Sequence, residues 1–502
     1  MKRNKFGLSY YRLISGKQGQ LIPVGWTNIL PGDTFRKSVS CLARVAPLVH
    51  PVMHPCHLSF RTFFVPNRII WDNFADKFIT GGTDGEGDGS TAPYVTIPGG
   101  GYAVGSLADY LGVPTSMGAT QRISALPFRA YAAIYNEYFR DKQLQNPLAL
   151  SKADGSDTTT SVVLQNADWE KDYFTTSRPE PQLGPDVTVS LGSTAPVQGN
   201  GQNIQMHNSV TNTNRVIYGN NTNDVLYGNP ANWGGSSNPL RFGRSDDATA
   251  TGLEVDLSAA TGISINALRE AFAQQTFQEH RSRFGDTYIE YLRYLGLQSS
   301  DARLQLPEYL GGYKTTIQFS EVLSTNGATG GNLAALGGHG IAAAKTPTVQ
   351  RYFEEHGIMM TVCYVRPKTM YMNGLSRHWS KFTKEDYWQR EYEHTGQQTV
   401  ENKEVFLGHT TPAGEFGYQD VYDEYRRNES GVSGEFRTTL KDWHLARDID
   451  SDAEATLDAD FVKCVPRTDI YAATAADNMY LMVSHREKAR RMPSKTGWSS
   501  NV

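Results

Sequence analysis

Four cysteines in 502 residues, Cys41, Cys56, Cys363 and Cys464, leave no CxxC pair and no closely spaced framework. That scarcity excludes a disulfide-stapled scaffold, and free thiols in a reducing compartment are the simplest expectation. No run of about 18 apolar residues occurs, so no transmembrane helix and no membrane insertion are expected. The stretch MKRNKFGLSYYRLISGKQG is basic but precedes no apolar segment, so it does not read as a signal peptide. A strong excess of one charge is missing too. The net charge of −4 argues against a dedicated nucleic-acid binder, although local basic patches remain open. Catalytic signatures are also absent: there is no GxSxG elbow and no HExxH pair. Ser15-Gly16-Lys17-Gln18 lacks both the upstream glycine and the hydroxyl of a phosphate-binding loop. No catalytic residue and no cofactor are expected.

Two clusters suggest metal chemistry on first sight. On an extended chain His50, His54 and Cys56 share one face beside His57, but Pro51 and Pro55 constrain the backbone and no second ligand pair follows. Asp84, Glu86, Asp88 and Gly89 begin like a calcium loop, yet Val95 stands where the bidentate glutamate belongs. Neither is expected to hold a metal; a structural role and an acidic turn are the plainer readings.

What the chain does have is β patterning. Phe35, Lys37, Val39, Cys41, Ala43 and Val45 alternate with Arg36, Ser38, Ser40, Leu42 and Arg44. His57–Val65 repeats the pattern until Pro66 stops it. Between Ile358 and Val365 both faces are largely apolar, so a strand covered on each side is expected. Further strands are expected over Thr315–Leu323 and Asn478–Ser484. Helices are few. Pro127–Arg140 carries a stripe of Tyr131, Ile134, Tyr135, Tyr138 and Phe139, read as core packing. A short piece at Asn73–Phe78 and helices from Asn266 and over Thr287–Leu295 are also expected.

Three stretches remain as candidate surfaces. The run after Pro367 is dense in aromatic and charged side chains, and Trp379, Tyr387 and Trp388 read as anchors of a contact between subunits. Lys2, Arg3 and Lys5 at one end, and Arg486, Lys488, Arg490 and Arg491 at the other, could neutralise phosphates without reading sequence. A solvated charged terminus is the competing reading for both. Residues 151–262, rich in Gly, Asn, Ser and Thr, lack the apolar density for a core of their own and read as a surface insertion.

Several blocks together resemble the major capsid proteins of microviruses, most closely the gokushovirus-like group. They are LPGDTFRKSVSCLARVAPLVHPVM at Leu30–Met53, RTFFVPNRIIWDNFADKFI at Arg61–Ile79, LPFRAYAAIYNEYFRDKQL at Leu126–Leu144 and SSDARLQLPEYLGG at Ser299–Gly312. EEHGIMMTVCYVRP, GLSRHWS, FGYQDVYDEYRRNESGVSGEFR at Phe416–Arg437 and DWHLARD at Asp442–Asp448 continue the series in order.

The resemblance implies a mainly β chain: one domain over 1–502, an eight-stranded antiparallel jelly roll with long loop insertions and a few short helices. It implies a T=1, sixty-subunit icosahedral shell around circular single-stranded DNA, assembled in a bacterial cytoplasm and resident in the virion. Implied partners are further copies of the chain, a DNA pilot protein, an internal scaffolding protein, a small basic DNA-binding protein and the host surface. The insertion would form a threefold protrusion, with Tyr218, Tyr227 and Trp233 available to a host glycan or receptor. The competing class is a jelly roll that binds or cleaves glycans.

Overall fold

The structure, a computed structural model, describes residues 3–82, 89–117, 120–188, 265–285, 287–297, 300–301, 305–325 and 335–495, and five short strands between 197 and 255. Ten strands form one curled antiparallel sheet: β1 (Asn4–Gly7), β2 (Tyr10–Gly16), β3 (Ile22–Ile29), β4 (Thr34–Val45), β5 (Cys56–Pro66), β6 (Glu308–Leu323), β7 (Leu336–Lys345), β8 (Val349–Tyr352), β9 (Gly357–Pro367) and β10 (Met479–Arg491).

The curl comes from β6. Its first part pairs with β5 and its last part, from Gln318, pairs with β7, so one strand serves two halves. One half runs β2-β10-β4-β7 and the other β6-β5-β9-β3. This is the expected mainly β jelly roll. Two short segments, β1 and β8, extend it, so the strand total exceeds the expected eight.

Alternation decides what each strand buries. Val39, Cys41 and Ala43 of β4 meet Leu481 and Val483 of β10, Leu58 and Phe60 of β5, and Cys363 and Val365 of β9 in one cluster. The opposite face of β9, Ile358, Met360, Val362 and Tyr364, packs with Phe63 and Val65 against helices α1 (Leu107–Leu111) and α2 (Leu126–Tyr138). Every residue of β9 but Arg366 is buried, as its two apolar faces require. In α2, Tyr131, Ile134 and Tyr135 are buried, and Arg129 is buried with them. Arg129 pairs with Asp157 at 2.7 Å and donates to the Ile70 and Ala153 carbonyls, so its charge and its donors are answered. All four cysteines are buried free thiols.

Two expectations change. The stretch 1–20 was expected as a solvated end, but Asn4–Gly7 and Tyr10–Gly16 run along β10 at the sheet edge. The basic segment from Arg486 to Arg491 is no tail either. It continues β10 and pairs with β4 and β1.

The chain divides into two compact units, 1–183 with 279–502, and Gly184–Gln278. The first contains the sheet and also residues 151–183, whose Trp169, Tyr173 and Phe174 are buried. The second contains a three-stranded sheet of Ile204–Asn208, Thr213–Val216 and Leu240–Arg244, and a ladder of Val197–Gly199 with Leu253–Val255.

Candidate functional site

Beyond Pro367 the chain is anchored before it emerges. The Tyr371 hydroxyl donates to Asp172 at 2.8 Å, and Arg377 donates to Glu404 at 2.9 Å and to the Thr399 carbonyl at 2.7 Å. Glu404 is buried; desolvation raises its pKa although Arg377 opposes the shift. From there the loop turns outward. Trp379 is 75% exposed, Phe382 85%, Tyr387 56% and Trp388 54%.

The loop is nevertheless held in shape. The Asp386 carboxylate accepts from the Phe382 and Thr383 amides and from the Thr383 hydroxyl. The two amide bonds, Thr383 first, depress its pKa. Beneath the loop, Lys381 pairs with Glu424 at 3.0 Å and lies 3.6 Å from the Tyr425 ring centroid. Desolvation would lower the Lys381 pKa, but Tyr425 and Glu424 outweigh it and raise it. The Tyr422 hydroxyl donates to the Glu385 and Tyr387 carbonyls. Rigid aromatics presented on a pinned loop are the side chains that dominate protein contacts. Phe382 and Tyr425 belong to the same surface and were missed from sequence; Phe382 lay in plain view between Trp379 and Tyr387.

The second surface is the outward face of the β10–β4 half. Residues directly opposite in register share a face, which places Lys5 beside Arg490 and Lys488 beside Arg36. Arg486 follows on the same side of β10, with Ser38 opposite. Lys345 and Arg44 lie farther along the same face. None of these residues forms an ion pair among the described residues, and no carboxylate stands in these rows. Like charges set directly opposite destabilise a sheet. Nothing among the described residues compensates for them.

Other predicted cations go elsewhere. Arg491 turns to the buried Asp33, pairing at 2.9 Å, and Arg3 donates to the Gly32 carbonyl and stacks over Tyr352. Lys2, Tyr218, Tyr227 and Trp233 lie outside the described residues. Arg36 and Arg44 were legible as the polar side of the β4 alternation. Only the pairing of β4 with β10 brings them to Lys488 and its neighbours.

Comparison with known proteins agrees with this architecture. Residues 1–489 match the family described as Capsid protein (F protein). The chain is 35% identical to Capsid protein VP1 of Bdellovibrio phage phiMH2K, over 88% of this chain and 85% of that protein. It is 31% identical to Capsid protein VP1 of Chlamydia phage 1, over 89% and 87%. A shorter match, 27% identical over 30% of this chain and 34% of the relative, is to Capsid protein F of Escherichia phage alpha3. The glycan-processing alternative gains nothing from these relatives. The chain belongs to the capsid protein (F protein) family of the microviruses and is a structural major capsid protein of the virion, not an enzyme.

Proposed function

We propose that this subunit builds a T=1 shell of sixty copies around single-stranded DNA and holds that genome against the outward face of the β10–β4 half. The observation that carries the reading is the row of cations with no ion pair among the described residues, Lys5, Arg36, Arg486, Lys488 and Arg490, on a protein whose net charge is −4. A polyanion neutralises such rows through counterion release. Arg491 drops out of the DNA-facing set because Asp33 already takes its charge. Arg3 stays in it as a contributor from the same edge, and Lys2 is proposed with it.

The loop of Trp379, Tyr387 and Trp388 serves contacts between subunits. The part of the tract 151–262 that lies in the second unit, from Gly184 on, supplies a threefold protrusion, and Tyr218, Tyr227 and Trp233 meet a host glycan or receptor. A DNA pilot protein, an internal scaffolding protein and a small basic DNA-binding protein join assembly in the bacterial cytoplasm.

The test is packaging. Lys488→Gln with Arg490→Gln should give shells that retain less DNA, with the deficit largest at low salt and narrowing as salt rises. Absorbance ratios of purified particles and nuclease protection across a salt series measure this. Normal DNA content at every salt concentration would remove the sheet face from the genome contact.

A further inference from the structure

The cationic rows do not end at bare polar surface. Along the same outward face, Leu13 stands opposite Met482, and Met482 opposite Leu42. In the next row Tyr480 stands opposite Arg44. On the other side of Met482, Tyr11 stands opposite Ser484. These side chains are open: Tyr11 is 73% exposed, Leu13 75%, Met482 47% and Tyr480 45%. Same-face residues on a strand repeat every ~6.7 Å. The run Tyr480–Met482–Ser484–Arg486–Lys488–Arg490 on β10 is therefore a single track, apolar and aromatic at one end and cationic at the other.

We infer that this track binds single-stranded nucleic acid in both of its chemistries, phosphates on the Arg486, Lys488 and Arg490 rows and bases on the Tyr480 and Tyr11 rings. The inference rests on the genome-facing reading above and adds a ligand discrimination to it. Charge complementarity selects a polyanion, because the track and its register neighbours carry no carboxylate. The apolar end selects among polyanions. Aromatic faces stack bases of any sequence, and combined with a positive surface they make a platform for single strands. A duplex keeps its bases inside and can use only the cationic rows. Arg44 beside Tyr480 places one cation where a base on that ring would bring its own phosphate.

Unassembled full-length subunits and fluorescence anisotropy provide the test. The probes are oligothymidylate of about 12 residues, within the usual site size of a single-strand platform, an abasic phosphodiester of equal length, and the matching duplex. Oligothymidylate should bind the wild type about tenfold more tightly than the abasic strand, equivalent to ~1.4 kcal/mol and one stacked base. Tyr11→Ala with Tyr480→Ala should remove that advantage and leave the salt slope unchanged, while Tyr480→Phe keeps it. Lys488→Gln with Arg490→Gln should weaken both strands and flatten the slope. Equal binding of the two strands by wild type overturns the stacking and leaves the phosphate reading intact. An advantage that survives loss of both tyrosines overturns this location for it. If no strand binds even at low salt, the genome-facing reading fails and takes this inference with it.

Discussion

Gly25 makes room for one buried side chain, His485. A Cβ at Gly25 would stand 2.7 Å from His485 Nε2 and 2.5 Å from the Tyr10 hydroxyl. The imidazole fills that space, stacks on Tyr10 at 4.6 Å and donates from Nε2 to the Val24 carbonyl at 3.2 Å. Beside it the buried Lys37 and Glu487 pair at 2.9 Å, and Thr27 donates to the same carboxylate. Desolvation first, and Lys37 second, lower the His485 pKa from 6.5 to about 3. Desolvation likewise lowers His54 to about 4.

A histidine kept neutral by the fold contributes its full stability above the unfolded value. That stability is lost as pH falls through 6.5 towards the folded value. The loss is at most about 1.4 kcal/mol per pH unit for each histidine. Asp168, raised to about 6 by burial, works in the opposite sense. Subunit stability measured by urea denaturation should therefore fall between pH 7 and pH 5, and His485→Gln should flatten the decline. An undiminished slope in that variant would show that the imidazole does not carry it. Removing one ionic partner is the harsher change: Lys37→Met should cost ~3–5 kcal/mol, because Glu487 is left charged and buried.

At the scale of elements, legibility followed periodicity. β4, β5, β9 and α2 were readable because their apolar positions recur at the period of their own structure. β10 was readable only to Ser484. Beyond it, Arg486 to Arg491 looks like a charged tail. Its inward positions are His485, Glu487 and Ala489, and Glu487 is tolerable there only because Lys37, far away in sequence, answers it. A local pattern cannot reveal a compensation made across the sheet. The helix expected over Thr287–Leu295 had the reverse fate: its pattern puts Tyr288, Tyr291, Leu292 and Leu295 on one side, yet Tyr288, Tyr291 and Leu295 are exposed.

The loop after β9 was read for its composition, and the structure adds its rigidity. Because Asp386, Lys381 and Tyr422 hold it from below, its outer rings are free to contact a neighbour without ordering first. Trp388→Ala should leave subunit stability within about 0.5 kcal/mol, as exposed substitutions do. The same change should remove about 2 kcal/mol from each contact if the ring is a central anchor. Sedimentation of assembly reactions should then show subunits accumulating at the expense of shells. Normal shell yield would reduce the loop to plain surface.

At the scale of the whole chain, the question is how a long polar tract can interrupt a jelly roll without spoiling it. The sequence reading set the tract at residues 151–262, whereas the compact units divide at Gly184 and Gln278. Residues 151–183 were hard to assign because their buried Trp169, Tyr173 and Phe174 are spaced irregularly among Asp, Thr and Ser. The boundaries themselves are closely joined. A Cβ on Gly184 would lie 3.2 Å from Gln278 Nε2, and within the first unit Ser282 donates to the Glu180 carbonyl at 3.1 Å. Adjacent chain ends are the condition under which an inserted unit can be added or removed at little cost to its host domain. Replacing Gly184–Gln278 with a short Gly/Ser linker should therefore leave a subunit that folds and assembles. If the insertion is the host-contacting protrusion, those shells should adsorb to host cells no better than to non-host cells. Electron microscopy and a cell-binding assay on the same preparation separate the outcomes. Loss of soluble subunit would mean that the insertion supports the fold, and shells with undiminished adsorption would move host contact to another surface.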